Sequence, residues 1–359
     1  MRYAFQRLSL AMLLILCAST ALLISDVVRH RPRTDGIPRV AVLQFASTSV
    51  MEDGIKGLKA SLKENGFQEG RNIEVKYFNA EGDIANANSI AHEMANAPYD
   101  MLVTFSTPCL QAVYTANKAR KVRHIYGLVA DPVQSGVGVN PNNPADHPPY
   151  MVGLGTLLPV EECFRSMRMM LPSLRQVGVA WNAGEMNSEI YVKRARVIAK
   201  ELGIELLEGN VENSAQVSEV VRSLIVRGSQ AIWVGGDSTI SANIASVIDM
   251  ARRAQIPVIS VTPAKAERGT LLDFGVSFYE AGGATGDLVA RVLHGADTAK
   301  LPVEDVKVYA SRVIVVNRTA LTGLKEPWQI PDSLWKRATV RVDEKGVQRI
   351  KTQRKRVNT

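Results

Sequence analysis

Cysteine is scarce in this chain, with three in 359 residues, at 17, 109 and 163. Cys109 and Cys163 lie far apart in the chain body, so no disulfide framework can be drawn. Histidine is scarce as well, and His30, His92, His124, His147 and His294 are scattered without ligand spacing, which leaves a metal site without support. Cys109 follows Thr107-Pro108 at a helix start, where a thiol pKa can fall, but no His stands near it in sequence as a base. It reads as a small packed residue. Signatures of common catalytic loops are also missing: there is no G-x-S-x-G elbow, no phosphate-binding G-x-x-x-x-G-K-[ST] and no G-x-G-x-x-G after the first strand. These gaps disfavour catalysis, and no cofactor is expected.

Basic charge is missing from the body of the chain despite a formal total of +8. Residues 1–33 carry five Arg against Asp26, and residues 336–359 carry nine Lys/Arg against Asp343 and Glu344, so the two ends hold +4 and +7. The remainder is therefore near −3, and a phosphate-grasping surface for nucleic acid is not expected. The tail, residues 326–359, reads as an extension with a solvated basic end.

The one long apolar run is Leu8–Ile24, preceded by Arg2 and Arg7. Residues 1–33 read as an export signal with three fates open: cleavage near Ala18-Ser19-Thr20-Ala21, retention as a membrane anchor, or lipid attachment at Cys17. All three place the body outside the cytoplasmic membrane, in the periplasm or on the outer face of that membrane.

What the body does contain is alternation. RVAVLQF (39–45), NIEVKYF (72–78), YDMLVTFS (99–106) and VRHIYGLV (122–129) read as strands separated by helical patterns, making one parallel sheet. PNNPADHPP (141–149) reads as a boundary loop. A second series follows: MVGLGT (151–156), QVGVAW (176–181), IELLEGN (204–210), QAIWVGG (230–236) and PVISVT (257–262), with helices between, including one over 239–253. LLDFGV (271–276), a helix near 278–294, VKVYA and RVIVVN are too little for a third domain and are expected to return to the sheets already made. The expected fold class is α/β: two doubly wound parallel-sheet lobes joined by a multi-strand hinge. Lobe I is expected to take residues 34–130 and about 276–310, and lobe II residues 131–275 with 311–325 as a candidate addition.

Ligands of such sheets bind beyond the carboxyl ends of the strands. The turns there are polar. They offer Phe45 and Ser47 after the first strand, Ser106 and Thr107 after the third, and Asp131 after the fourth. In the second series they offer Asn182, Glu185, Asn187 and Ser188, then Asp237, Ser238 and Thr239, then Thr262, with Ser277 and Phe278 after the crossover. N-capping accounts for hydroxyls one at a time. Their convergence from both lobes suggests a site for a carboxylate or similar anion, with Glu185 or Asp237 as receivers of an ammonium. Phe45, Trp181 and Phe278-Tyr279 are candidate walls for a flat ligand, while Trp233 belongs inside its strand.

The series RVAVLQFAS, NAEGDIANANSIA, TFSTPCLQA, ADPVQSG, LLPVEE, GVAWNAGEMNSE, GDSTI, GVSFYEAG and VNRTALTGLKEPWQIPDSLWKRA resembles the substrate-binding proteins of ABC transporters, in the group that includes tryptophan- and tyrosine-binding members. The resemblance runs from about residue 38 to 340 and implies a periplasmic binding protein type I-like fold. It further implies a small-molecule solute, with aromatic amino acids among the candidates, delivered to a membrane permease with its ATPase. On that pattern Ser106 and Thr107 match the first-lobe ligand turn, Asn182, Asn187 and Ser188 the second-lobe turn, and Asp237, Ser238 and Thr239 the next. The sequence departs at GVSFYEAG, where many members carry Asp in place of Ser277; a neutral hydroxyl there cannot offset a buried ammonium. A membrane-tethered sensor using the same cleft is the alternative reading.

Overall fold

The computed structural model describes residues 36–263 and 269–350, together with Met12 and Ser19. The first sheet is wholly parallel. Its strands are β1 (Arg39–Gln44), β2 (Glu74–Asn79), β3 (Met101–Phe105), β4 (Arg123–Val129), β5 (Met151–Gly155) and β11 (Glu304–Asp305), in the order β11-β5-β4-β3-β1-β2. The central strand β3 is buried at every residue, as a strand covered on both faces must be. β2, at the edge, keeps only partial burial.

The second sheet holds β6 (Gln176–Trp181), β7 (Glu205–Asn210), β8 (Ala231–Val234), β9 (Val258–Ser260), β10 (Leu272–Val276), β12 (Arg312–Asn317), β13 (Val340–Asp343) and β14 (Gly346–Arg349). Their order is β14-β13-β12-β10-β9-β8-β6-β7. It is parallel from β7 to β10, and antiparallel where β12 meets β10 and where β14 meets β13.

Helices cover both sheets: α1 (Ser49–Glu64), α2 (Ile84–Asn96), α3 (Thr107–Asn117), α4 (Val160–Met170), α5 (Met186–Glu201), α6 (Val217–Val226), α7 (Ser238–Ala242), α8 (Ile244–Arg253), α9 (Phe278–Leu293) and α10 (Asp332–Arg337). Many begin as the sequence suggests, on a side-chain cap. Thr48, Asp83, Ser106, Asp237 and Ser277 each accept a backbone N–H from the first turn of the helix that follows, an arrangement that contributes about 0.5–2 kcal/mol per cap.

The chain passes between the sheets after β5, after β10 and after β11. This is the crossing pattern expected of two lobes on a multi-strand hinge. Both sheets reverse their winding direction at one place, between β1 and β3 in the first and between β6 and β8 in the second. These reversals leave a crevice at the strand ends, where ligands of open α/β sheets bind.

Four local expectations are corrected. MVGLGT does not open the second module: β5 pairs in parallel with β4, because a crossover of a dozen or more residues suffices for a parallel neighbour and the Pro-rich loop supplies it without a helix. The helix over 239–253 is two helices, α7 and α8, broken at Asn243, whose side chain donates to the Thr239 carbonyl. VKVYA gives only a turn after the two-residue β11. Residues 340–349, assigned to a solvated tail, form β13 and β14 and extend the second sheet from β12; Val340 and Val342 alternate inward there as a half-buried strand requires. The apolar run Leu8–Ile24 lies almost wholly outside the described residues, and no described helix is long and apolar enough to cross a membrane.

Candidate ligand-binding cleft

At the two reversal points the strand-to-helix turns of the lobes face each other across a cavity of about 50 Å³. From the first lobe come Val50 and Met51 in the first turn of α1, Ser106 and Thr107 at the start of α3, and Leu128 and Ala130 at the end of β4. The second lobe supplies Asn187 and Tyr191 from α5, Gly236 and Ser238 around α7, and Thr262 after β9. Thr156, Leu158 and Phe278 line it from the crossings. Leu128, Ala130, Leu158, Tyr191 and Phe278 belong to one apolar cluster that spans both lobes. The Tyr191 hydroxyl donates to the Thr156 carbonyl at 3.1 Å, tying α5 to the crossing after β5.

Two residues of the first-lobe wall hold backbone conformations that side chains disfavour. Ser106 has φ 98° and Leu128 φ 53°, each at a cost on the order of 1–3 kcal/mol. The Ser106 N–H donates to the Gly127 carbonyl, so the two strained positions are linked, and the register of β4 against β5 shifts there. The shift takes Leu128 to the cavity.

The second-lobe wall is fixed by two buried carboxylates. Glu185 accepts the N–H groups of Ser238 and Thr239, both at 2.9 Å, the Thr239 hydroxyl at 2.7 Å and the Asn187 amide at 3.0 Å. Asp237 accepts the Asn182 N–H at 2.7 Å, the Ser188 hydroxyl at 2.6 Å and the Ile240 N–H at 2.7 Å. Burial, with the neighbouring Glu185 charge, pushes Asp237 up to about 7. Asn182 completes the network by donating to the Thr239 hydroxyl. Gly236 has a steric reason: a Cβ there would fall 2.0 Å from the Tyr191 ring, which packs against that backbone.

Of the residues singled out from sequence, Ser106, Thr107, Asn187, Ser238, Thr262 and Phe278 line the cavity. The others are placed elsewhere. Asn182, Glu185, Ser188, Asp237 and Thr239 turn their polar atoms into the network within the second lobe. Phe45 packs in the first-lobe core with Leu43 and Ala80, and Ser47 is exposed and accepts from Asn79. Asp131 caps its own turn through the N–H groups of Val133 and Gln134. Ser277 caps α9, accepting from Glu280. Cys109 is fully buried, and burial pushes its thiol up to about 12, which removes any thiolate character.

Sequence reasoning missed Tyr191 and Thr156. Tyr191 is one helical turn beyond Asn187, at the i,i+4 spacing that puts both on one face. Thr156 directly follows β5, and would have been found beyond a strand end had that strand been assigned to the first sheet. Nothing in the sequence marks Leu128.

The family of ABC transporter substrate binding proteins matches residues 39–342. A curated relative described as a tyrosine-binding protein, from Clostridioides difficile, is 25% identical over 285 residues, covering 79% of this chain and 80% of the relative. A conserved domain protein from Vibrio cholerae has a solved structure with a TM-score of 0.78 and 30% identity, over 85% of this chain and 99% of that one. A domain from Streptococcus pneumoniae, solved in complex with L-Trp, has a TM-score of 0.77 and 23% identity, over 86% and 100% respectively. With two α/β sheets, a crevice at their reversal points and a family match over most of its length, the chain belongs to the ABC transporter substrate-binding protein family.

Proposed function

We propose that the protein captures a small solute outside the cytoplasmic membrane, in the periplasm or tethered to the membrane's outer face, and presents it to an ABC permease and its ATPase. Lobe I takes the first sheet with α9, lobe II the second sheet, and the three crossings form the hinge. The solute bridges the lobes and favours the closed arrangement through contacts made only there. Ser106, Thr107, Asn187, Ser238 and Thr262 are its polar contacts, and Phe278 is part of its apolar wall. Asn182, Glu185, Ser188, Asp237 and Thr239 hold the second-lobe turns in place.

The observation that carries this reading is the convergence of both lobes' strand-end turns on one cavity. Two relatives, the tyrosine-binding protein and the domain solved with L-Trp, favour a solute with one polar end and an apolar body. A thermal-shift screen of amino acids, nucleosides and small carboxylates, followed by calorimetric titration of the best hit, tests it. Ser106→Ala and Asn187→Ala, one from each lobe, are each expected to weaken binding about tenfold, the scale of one or two lost hydrogen bonds. Unchanged affinity in either variant sinks the two-lobe assignment.

A further inference from the structure

None of the described residues lining the cavity carries a charge. Glu185 and Asp237 do not line it, and their oxygens are occupied by donors of their own lobe; Asp131, which follows the lining Ala130, accepts from the N–H groups of its own turn. Among the described residues an ammonium bound here would find no counter-charge in the cavity wall in exchange for its lost water.

The polar atoms that do face the cavity are specific in another way. Asn187 is 5% exposed, and its amide N–H groups donate to Glu185 and to the Gly236 carbonyl, which fixes the orientation of the amide. Its Oδ1 accepts no hydrogen bond from any described residue. Thr156, 4% exposed, likewise has a hydroxyl without a partner among the described residues. An amide oxygen can only accept, so the solute must bring an N–H or O–H donor to that side.

On the first-lobe side the Ser106 and Thr107 hydroxyl oxygens already accept from Cys109 and Ala130, which leaves their protons for an acceptor on the solute. They stand at the N-terminus of α3, an eleven-residue helix whose dipole favours negative charge.

Resting on the solute-binding reading, we infer that the ligand is a 2-hydroxy monocarboxylate with an apolar side chain, not a zwitterionic amino acid. The carboxylate meets Ser106 and Thr107. The uncharged hydroxyl donates to Asn187 Oδ1 and can exchange a second hydrogen bond with Thr156. The apolar side chain lies against Met51, Leu128, Leu158 and Phe278. A 2-oxo acid fits less well, since it turns a lone pair toward Asn187 Oδ1.

Calorimetric titration of the full chain with matched acids separates these classes. On both the leucine and the phenylalanine skeletons, the amino acid, the 2-hydroxy acid and the 2-oxo acid differ only at one substituent. The hydroxy acid is expected to bind at least tenfold tighter than its amino and oxo counterparts on the better skeleton. Thr156→Val, nearly isosteric, is expected to weaken the hydroxy acid severalfold at unchanged melting temperature; if that variant does not fold, Asn187→Ser takes its place. An amino acid that binds as tightly or tighter overturns the inference while leaving solute binding intact. Absence of binding by all six acids also overturns it, and the broader solute screen then decides separately whether the cleft binds anything.

Discussion

Asp237 and Glu185 act on the cleft without touching it. Both are buried, and between them they bind the turn before α5 to the turn before α7. Burial and the neighbouring Glu185 charge together raise the proton affinity of Asp237, which sits at about 7 against 3.8 for the free group. Because the folded value is raised, the folded state holds its proton where the unfolded chain has lost it. The contribution to stability is therefore complete below about pH 4 and disappears as pH rises through about 7. Urea unfolding between pH 5 and 8 should accordingly show the native chain losing stability over that window, with the slope reduced in Asp237→Asn. Equal slopes would mean that Asp237 titrates normally. The polarity of these turns was legible in the sequence because hydroxyls, Asn and acids cluster after strands. Which polar atoms face a cavity and which face each other was not, since Glu185 and Asp237 differ from Ser238 only in the neighbours that folding brings.

The two helices that form the first-lobe lip, α1 and α9, approach unusually closely. Gly54 and Gly57 of α1 meet Gly282 and Gly283 of α9, and Gly286 lies against Leu58 and Ser61; a Cβ at Gly57 would fall 1.9 Å from the Tyr279 carbonyl oxygen, and one at Gly282 would fall 2.0 Å from that of Gly54. This contact sets where Val50, Met51 and Phe278 stand, since all three lie in the first turns of those helices. In an exposed helix Gly→Ala gains about 1 kcal/mol of helix propensity. Here the obstacle is backbone, which cannot rotate aside, so Gly57→Ala should destabilise the protein by about 1–3 kcal/mol, the usual cost of overpacking. A guanidinium unfolding curve checks the sign, and a gain in stability would show that the helices can part freely. Most strands and helices were legible from period-two and period-3.6 apolar spacing. Strand membership was less so: β5 looks alike in either sheet, because its pairing with β4 depends on residues far away in sequence. The break at Asn243 was hidden because apolar spacing runs straight through it.

At the scale of the molecule, a six-stranded and an eight-stranded sheet share one strand order over six positions and bring their reversal points to one cavity, and the chain crosses between them in three places. A two-lobed plan was legible in the repeated strand-helix series and in a remainder too short for a third domain. The closed cleft depends on packing across the lobes, through Leu158, Tyr191 and Phe278. On the proposed reading, a solute that bridges residues of both lobes around the cavity of about 50 Å³ enters with the lobes apart and is held with them together, so capture calls for an open state and a hinge motion between the two. Small-angle X-ray scattering of the chain with and without a saturating solute measures that motion directly. The radius of gyration should fall when solute is added, and should not fall in an Asn187→Ala variant at a concentration too low to saturate it. A native chain that binds solute stoichiometrically while its radius of gyration stays constant would contradict closure around a bridging ligand.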